Sequence, residues 1–214
     1  MTTYEGRLKK ADYEVRPVQI GVAQEMVIAH HYAKGASKQF VYLHGLFRRD
    51  DPWFCLGIAW WMPPTKGAAL RLTPAWDKVL ALSRLVILPG QPKNAASFLI
   101  AQSVKLIQAD GRWLKLVTYA DTRQGHTGGI YKATNWTYDG MTDATATWIT
   151  PEGRTVAKKC GDKTRTVAEM EALGYRMIGR FSKLRFVMDL KPRRAASPKK
   201  LQPGQPSLGL DETA

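Results

Sequence analysis

Apolar residues are concentrated in the middle of the chain. Residues 78–88 (KVLALSRLVIL) form a nearly continuous apolar run, which is typical of a strand buried on both faces of a sheet. The turn sequence PGQP follows, and Asn94 is then placed to cap a helix that continues to about Asp110. A further strand is expected over residues 113–119. Strand, helix and strand in this order predict a right-handed crossover between two parallel strands.

Shorter patterns predict the remaining elements. Residues 40–44 and 53–61 have the character of two strands of a hairpin, because the polar sequence RRDDP separates them. The other expected elements are a helix over 23–32 that ends near Gly35, a short helix over 128–134, a strand that starts at 136–138, a hairpin or extended excursion over 142–165, a helix over 166–173 and a last strand over 181–190. Together they predict an α/β protein whose mixed sheet has a central parallel strand pair and flanking helices.

The composition changes after about Leu190. Residues 191–214 are rich in Pro, Gly, Ser and basic side chains and show no hydrophobic period. We therefore expect one folded domain over residues 1–190 and a disordered basic tail over residues 191–214. The basic half of this tail either adds non-specific phosphate contacts or is simply solvated.

The charge balance points to a polyanionic partner. The chain has 32 Lys and Arg against 18 Asp and Glu, a formal net charge of +14. No apolar run approaches the ~20 residues that span a bilayer, and the first residues lack the apolar core of a signal peptide. Cys55 and Cys160 lack the spacing of a zinc site, which is compatible with a reducing cytoplasm. We therefore expect nucleic acid rather than membrane as the partner of a cytoplasmic protein.

One charged residue interrupts the central apolar run. Arg84 follows Ser83 inside the predicted buried strand, where a charge is costly unless it is paired or faces a cleft. An Arg at this place can bind a phosphate or a carboxylate. The alternatives are a structural ion pair or a side chain that extends to solvent.

Polar residues gather where the second parallel strand ends. Residues 119–126 (YADTRQGH) follow that strand, and ligands of open α/β sheets bind beyond the carboxyl ends of parallel strands. Asp121 and His126 are both candidates for a general base. Alternatively, Asp121 caps the next turn and His126 is a solvent-facing loop residue.

Two aromatic segments add candidates. Tyr131 lies in the short helix after the polar cluster, as either a site residue or a core aromatic. His31 and Tyr32 lie near the end of the first helix, where they are candidate metal ligands and Tyr32 a candidate acid or base. The alternative for this pair is a helix end at which His interacts favourably with the dipole.

Several known signatures are absent. The chain has no H-x-E with P-C-x-x-C, which excludes a zinc deaminase of that type. It also has neither a Walker A sequence nor a G-x-G-x-x-G after a strand.

The order of elements over residues 78–136 resembles the GNAT superfamily of acyl-CoA N-acyltransferases. Residues 131–136 (YKATNW) are similar to the Tyr-x-x-x-Gly-Phe segment of that superfamily, in which the Tyr often is the general acid for the leaving thiolate. Asn135 and Trp136 stand in place of Gly and Phe. The usual pyrophosphate loop Q/R-x-x-G-x-G/A is missing, and residues 89–97 (PGQPKNAAS) occupy its place.

A closer resemblance is to the Mom family. The pieces that carry it are His31-Tyr32, LSRLV at 82–86, Asn94 to Ser97, Tyr119-Ala-Asp121, Gly125-His126 and IYKATNW at 130–136. Mom proteins convert adenine in phage DNA to N6-carbamoylmethyladenine, which blocks host restriction enzymes, so the resemblance implies this activity in a host cytoplasm. Carried over, it assigns to the active site Tyr32, Arg84, Ser97, Asp121 and Tyr131. It also suggests His31 and Tyr32 as an iron-associated pair.

The resemblance implies a mechanism on double-stranded DNA in which the adenine is flipped out. We expect Asp121 to act as the base toward N6 and Tyr131 to protonate the leaving group. The anionic part of the donor would bind four residues of the central unit, namely Arg84, Lys93, Asn94 and Ser97. Acetyl-CoA is one donor; an activated glycine such as glycyl-tRNA is the other, because a glycyl group on N6 is an isomer of the carbamoylmethyl product.

Basic and aromatic residues of the predicted excursion are candidates for DNA contacts. They are Lys158, Lys159, Lys163, Arg165 and Trp148. Trp60, Trp61 and Trp136 are further candidates for base stacking, and a homodimer stays open. Two other functions stay open as well, a GNAT-type acyltransferase for a protein or small molecule and a non-catalytic DNA-binding anti-restriction protein.

Overall fold

A computed structural model describes residues 6–191 other than 34, 36, 37 and 161. Its main element is a seven-stranded sheet. The strands of this sheet are β1 (Tyr13–Pro17), β2 (Tyr42–Arg48), β3 (Gly57–Met62), β4 (Val79–Ile87), β5 (Lys115–Asp121), β6 (Thr137–Met141) and β12 (Lys183–Asp189). The helices are α1 (Ile20–His30), α2 (Lys66–Leu70), α3 (Ala95–Asp110), α4 (Gly129–Lys132) and α5 (Val167–Ala172).

The sheet is mixed, with one parallel pair at its centre. Its strand order is β1-β2-β3-β4-β5-β12-β6. β4 and β5 are parallel and are joined by α3, and the other neighbouring strands are antiparallel. The predicted α/β class, the central parallel pair and the flanking helices are therefore confirmed. In the part of the chain that the structure describes, no helix is long and apolar enough to cross a membrane.

The sheet is covered on both faces, and strand β3 shows how. Ala59 and Trp61 pack in the cluster beneath α3, whereas Ile58 and Trp60 pack beneath α1 on the opposite face. α2 covers the face of α1 through Ala69. Burial of a large apolar side chain stabilises the fold by about 1.5–3 kcal/mol. Because β3 buries side chains on both of its faces, it contributes strongly to the stability of the sheet. The adjacent Trp residues of β3 are consequently both core residues.

The two parallel strands separate at their carboxyl ends. β4 and β5 are paired from Val79 opposite Lys115 to Leu82 opposite Thr118. At the next residue a β-bulge interrupts the pairing of β4 with β3, because Trp61 lies opposite Leu82 and Trp60 opposite Arg84. The bulge bends β4 away from β5. A cleft opens between the two strands.

Residues between β6 and β12 form a separate unit, which we call the insertion (residues 142–182). Its strands are β7 (Thr145–Ile149), β8 (Thr155–Val156), β9 (Lys159–Cys160), β10 (Lys163–Thr164) and β11 (Arg176–Phe181). β11, β7 and β8 form a three-stranded sheet, while β9 and β10 form a hairpin. Arg123 Nη1 donates to Thr155 Oγ1 at 3.0 Å, which joins the insertion to the loop after β5.

Local details differ from the sequence predictions. β1, α2 and β11 were not predicted, and the second hairpin strand starts at Gly57 because residues 53–56 belong to the turn. Asn94 precedes α3 as predicted, but its side chain does not cap the helix. Its Oδ1 instead accepts a hydrogen bond from the Leu8 N–H at 2.6 Å. Of the predicted tail, residues 192–214 lie outside the described part of the chain.

Candidate active site

The cleft between β4 and β5 has a volume of about 640 Å³. It is lined by the end of α1 and the residue pair after it (30–32), by residues 82–87 of β4, by Tyr119 and Ala120 of β5, and by the loop and helix over 124–131. The cleft therefore receives side chains from both faces of the sheet. Arg84, Tyr32 and His126, all predicted site residues, line it together with Tyr131.

Tyr32 and Asp121 are neighbours at this cleft. Burial raises the pKa of Tyr32, the negative charge of Asp121 raises it further, and the Arg84 guanidinium opposes both effects. Asp121 Oδ1 accepts from the Arg123 backbone N–H at 3.0 Å. Tyr32 therefore keeps its proton, and the Arg123 N–H holds the carboxylate.

Arg84 lies on the same face as this pair. Its Nη1 donates to the Ser83 carbonyl at 2.8 Å and to the Ser83 hydroxyl at 3.1 Å. Its Nε is buried and has no hydrogen-bond partner among the described residues. An unsatisfied buried donor costs about 1–3 kcal/mol, so a ligand that accepts from Nε would gain this energy. The arrangement therefore favours an oxygen-bearing ligand beside Arg84.

Tyr131 enters the cleft from the opposite face. Its ring lies 5.3 Å from that of Phe186 and 6.0 Å from that of Trp136, so the core fixes its orientation. Burial raises the pKa of Tyr131, and a hydrogen bond with Thr118 partly offsets this effect. Tyr131 is consequently a protonated phenol in a rigid position, which suits a proton donor.

Two of the three histidines at the cleft, His31 and His126, differ in exposure. His126 is exposed, and its ring lies edge-on to the Tyr32 ring at 5.7 Å. His31 is buried, lies 4.3 Å from the Tyr32 ring, and accepts the Ala33 N–H at Nδ1. Over residues 6–191, as far as they are described, no cluster of three or more His, Cys, Asp or Glu could hold a metal ion. The association of His31 and Tyr32 with iron stays a prediction.

A second cleft opens at the start of α3. It has a volume of about 710 Å³ and shares Gly129 and Ile130 with the first cleft. Lys93, Asn94 and Ser97 line it, as does Arg7, which sequence reasoning missed. The Ser97 hydroxyl donates to the Asn94 carbonyl at 2.9 Å. Arg84 lines the first cleft on the face of α1 and not this one, so its predicted action together with these residues stays a prediction.

The predicted DNA contacts differ in exposure and in partners. Lys159 and Lys163 are both exposed on the insertion, and Lys163 Nζ is paired with Glu169 Oε1 at 2.7 Å. Trp148 is 2% exposed, so its predicted role in base stacking is wrong for this conformation. The same correction applies to the other Trp rings that were predicted to stack, namely Trp60, Trp61 and Trp136. These rings form the core because each lies on a covered strand or beneath a helix.

Tyr119 is a further cleft residue that sequence reasoning did not assign. It is half-buried and lies two residues before Asp121, on the same face of β5. Burial raises its pKa, while Arg185 opposes the effect. The alternation of side chains along the strand is the signal that could have identified it.

The chain matches the model of the Mom protein family over residues 12–205. It is 26% identical over 155 residues to the methylcarbamoylase Mom of Escherichia phage Mu, an alignment that covers 66% of this chain and 61% of that protein. The chain therefore spans about three fifths of the length of the curated relative it matches.

Solved structures with a similar fold are N-acetyltransferases. The ribosomal-protein-S5-alanine acetyltransferase of Vibrio fischeri superposes with a TM-score of 0.51 at 9% identity, covering 86% of this chain and 98% of that one. A putative acetyltransferase of Salmonella typhimurium, solved with acetyl-CoA, gives a TM-score of 0.50 at 9% identity, covering 87% and 98%. At such low identities the likeness concerns the fold alone. The predicted GNAT-like fold is confirmed.

Proposed function

This chain belongs to the Mom protein family, and we propose that it is a transferase that converts adenine in DNA to N6-carbamoylmethyladenine. The observation that carries the proposal is the cleft through the sheet, with the Tyr32–Asp121 pair at one face and the rigid phenol of Tyr131 at the other. An acceptor and a donor can thus reach one reaction centre from opposite faces. The phage Mu relative is a methylcarbamoylase, which supports the same chemistry.

The acceptor would be an adenine extruded from duplex DNA. The amino group of a stacked, paired adenine is not accessible to groups inside a cleft, so the nucleotide has to leave the helix. The net charge of +14 favours binding of the DNA backbone. The exposed Lys159 of the insertion is a candidate for a phosphate contact.

The transfer step distributes its protons over two residues. N6 of adenine attacks the carbonyl carbon of the donor, and Asp121 takes the proton that N6 loses. Nε of Arg84 donates to the carbonyl oxygen as negative charge develops on it. Tyr131 then gives its proton to the leaving group as the bond between carbonyl carbon and leaving group breaks. The Arg123 N–H keeps the carboxylate of Asp121 oriented, with the protonated Tyr32 phenol beside it.

We propose an activated glycine, such as glycyl-tRNA, as the donor. Acetyl transfer lacks the second nitrogen of the carbamoylmethyl group, whereas a glycyl group on N6 contains every atom of it. Attack of the glycyl amine on C6 of the purine then displaces the original N6. The displaced N6 becomes the carboxamide nitrogen, so this rearrangement is an isomerisation without any further reactant.

The donor would enter along the second cleft. Arg7 and Lys93 line it, and the start of α3 adds the positive end of its helix dipole. A CoA thioester is the competing donor, because similar folds have been solved with acetyl-CoA. Growth with glycine labelled in both carbon and nitrogen distinguishes the two donors. Because glycine also supplies atoms of the purine ring, the label is read as the excess of modified over unmodified adenosine. Excess label in the carbamoylmethyl group supports the activated glycine, and no excess excludes it.

The proposed function is tested by mass spectrometry of nucleosides from plasmid DNA of cells that express the protein. We expect an adenosine that is heavier by one carbamoylmethyl group, and DNA that resists restriction enzymes with adenine in their sites. Asp121→Asn serves as the matched control because it keeps an oxygen acceptor for the Arg123 N–H. Unmodified DNA from cells with folded wild-type protein would contradict the proposal. The remaining functions would then be acyl transfer to another acceptor, or DNA binding without catalysis.

A further inference from the structure

Trp53 is the most exposed of the large hydrophobic residues in the described part of the chain. Its side chain is 91% exposed, and the neighbouring Phe54 is 54% exposed. Both lie in the turn between β2 and β3. Trp normally buries most of its large ring, so a fully solvated Trp beside a second exposed ring is typical of a contact surface.

This turn lies at the same end of the sheet as the cleft, beside the carboxyl end of β4. Gly57, the first residue of β3, is paired with Ile87, and Ile87 lines the cleft. Trp53 precedes Gly57 by four residues, so its backbone lies within about 14 Å of that pair at the rise of an extended chain. A duplex seated over the cleft extends well beyond this distance on both sides of its target base. The ring is therefore within reach of base pairs that flank the target.

Contacts of Arg16 hold the residues that precede Trp53 in the turn, whereas the Trp53 ring itself is exposed to solvent. The Arg16 guanidinium donates to the Pro52 carbonyl and packs over the Phe47 ring at 3.8 Å from its centroid. Such an anchored turn presents the Trp53 ring with little loss of entropy on binding.

The charges beside the turn are locally compensated. Arg48 is paired with Asp50, and Arg49 with Glu14 at 3.2 Å. The tip therefore lacks the excess positive charge that phosphate binding needs. Stacking of an aromatic ring on bases is the interaction that remains for it.

We propose that Trp53 stacks on the bases of the substrate duplex beside the target adenine and stabilises the distortion that lets the adenine leave the helix. This inference rests on the proposed DNA modification. Aromatic and apolar residues inserted at base steps stabilise unstacked DNA in the same physical way. Trp53 is thus a positioning residue: it acts through the DNA and not on the reacting atoms.

The test compares Trp53→Ala with Trp53→Tyr, which restores a stacking ring. Trp76→Ala is the matched control, because Trp76 is also exposed (41%) but lies just before β4, at the opposite end of that strand. The first readout is the Kd for duplex DNA over a range of salt concentrations. The second is the fluorescence of a 2-aminopurine placed in a mismatched pair of the duplex, which rises as that base unstacks.

We expect Trp53→Ala to raise the Kd about tenfold, within the range of base–aromatic stacking, without changing the slope of log Kd against log salt. Its fluorescence increase should be smaller than that of the wild type. Trp53→Tyr should restore most of the DNA affinity and most of the fluorescence increase. Trp76→Ala should behave as the wild type. Modification should lose efficiency through KM for DNA, with kcat largely kept.

A Kd for Trp53→Ala within twofold of the wild type, or a reduced salt slope, would overturn the stacking role. An altered oligomeric state of Trp53→Ala at equal DNA affinity would also overturn it, and would assign the ring to a contact between copies of this chain. These outcomes are distinct from failure of the proposed function. In that case the wild-type protein itself leaves adenine unmodified, whatever residue 53 is.

Discussion

The negative charge of Asp121 raises the pKa of the Tyr32 phenol, although Tyr32 follows helix α1 and Asp121 ends strand β5. The two residues therefore bring together two elements that border the cleft. Burial raises the pKa of the phenol as well, so Tyr32 keeps its proton. The contact places a protonated phenol beside a carboxylate at a half-buried site.

Asp121→Asn should abolish modification while DNA binding is kept. The amide retains the shape and one oxygen, but it cannot take a proton from N6, and loss of a general base typically lowers rates about 10²- to 10⁴-fold. The measurement is the modified fraction of adenine per unit time, with the Kd for duplex DNA beside it. A parallel loss of affinity would mean that Asp121 supports DNA binding rather than proton transfer.

Lys159→Ala should weaken DNA binding at low salt and flatten its salt dependence. One lost phosphate contact reduces the slope of log K against log salt by about one. Lys163→Ala should have a smaller effect, because Lys163 already has Glu169 as its partner. Kd values for both variants between low and physiological salt provide the check. If the slope of log K against log salt is the same for the wild type and Lys159→Ala, then Lys159 of the insertion does not contact DNA phosphate.

Gly128→Ala should destabilise the fold and disturb the site. A Cβ at this position would lie 2.2 Å from two ring atoms of Phe186, and the backbone φ of +74° disfavours an L side chain. Phe186 supports the ring of Tyr131, so its displacement reaches the proposed proton donor. We expect a loss of about 2–4 kcal/mol in urea unfolding, within the upper range for point mutants, together with reduced modification. Gly67→Ala in α2 has open space around it and should be neutral or slightly stabilising.

His44 should make the protein less stable in mild acid. It is 3% exposed and contacts the Ser103 hydroxyl, and burial lowers the pKa of this imidazole to about 4. Between pH 6.5 and 4 the His44 imidazole is therefore protonated in the unfolded chain but neutral in the folded chain. The free energy of unfolding consequently falls as the pH decreases from about 6.5 to 4. Compared with pH 7, we expect the wild type to lose about 2–3 kcal/mol more at pH 4.5 than His44→Gln does, on the scale of 1.36 kcal/mol per pKa unit.

Equal acid sensitivity of the wild type and His44→Gln would show that another group controls unfolding in this range. Urea titrations of both proteins at the two pH values are sufficient. The variant keeps hydrogen-bonding capacity toward Ser103, which itself accepts from the Trp61 indole at 2.6 Å.

The central strand–helix–strand unit could be predicted because its signals are local. A continuous apolar run and a helical spacing of apolar residues specify β4 and α3 without reference to other segments. The side chain of Asn94 could not be assigned in this way. It binds the Leu8 N–H, whose position in the chain has no local relation to Asn94.

The placement of Arg84 depends on one extra residue in β4. Leu80 and Leu82 face α3, and strict alternation would direct Arg84 to the same face, toward Ser97. The bulge after Leu82 reverses the alternation, so Arg84 lies opposite Trp60 and faces Tyr32 instead. Bulges leave little trace in a single sequence, which explains why the face of the sheet on which Arg84 lies could not be predicted.

At Asn135, in contrast, the residue type matches the backbone conformation. It has a φ of +64°, the one positive φ of a non-glycine residue in the described chain. Asn tolerates this left-handed conformation better than most residues. Asn135 stands where the similar acyltransferase segment has Gly, a residue that adopts this conformation readily.

Strand β12 lies between β5 and β6, although the whole insertion separates it from β6 along the chain. While the ribosome makes the chain, β5 remains an open sheet edge until Asp189 has emerged. Its unpaired backbone groups are exposed to other chains during that interval. The strand that ends in Asp121 thus gains its second neighbour late in synthesis. Nascent chains that stop within the insertion would carry the proposed catalytic side chains without the complete sheet that positions them.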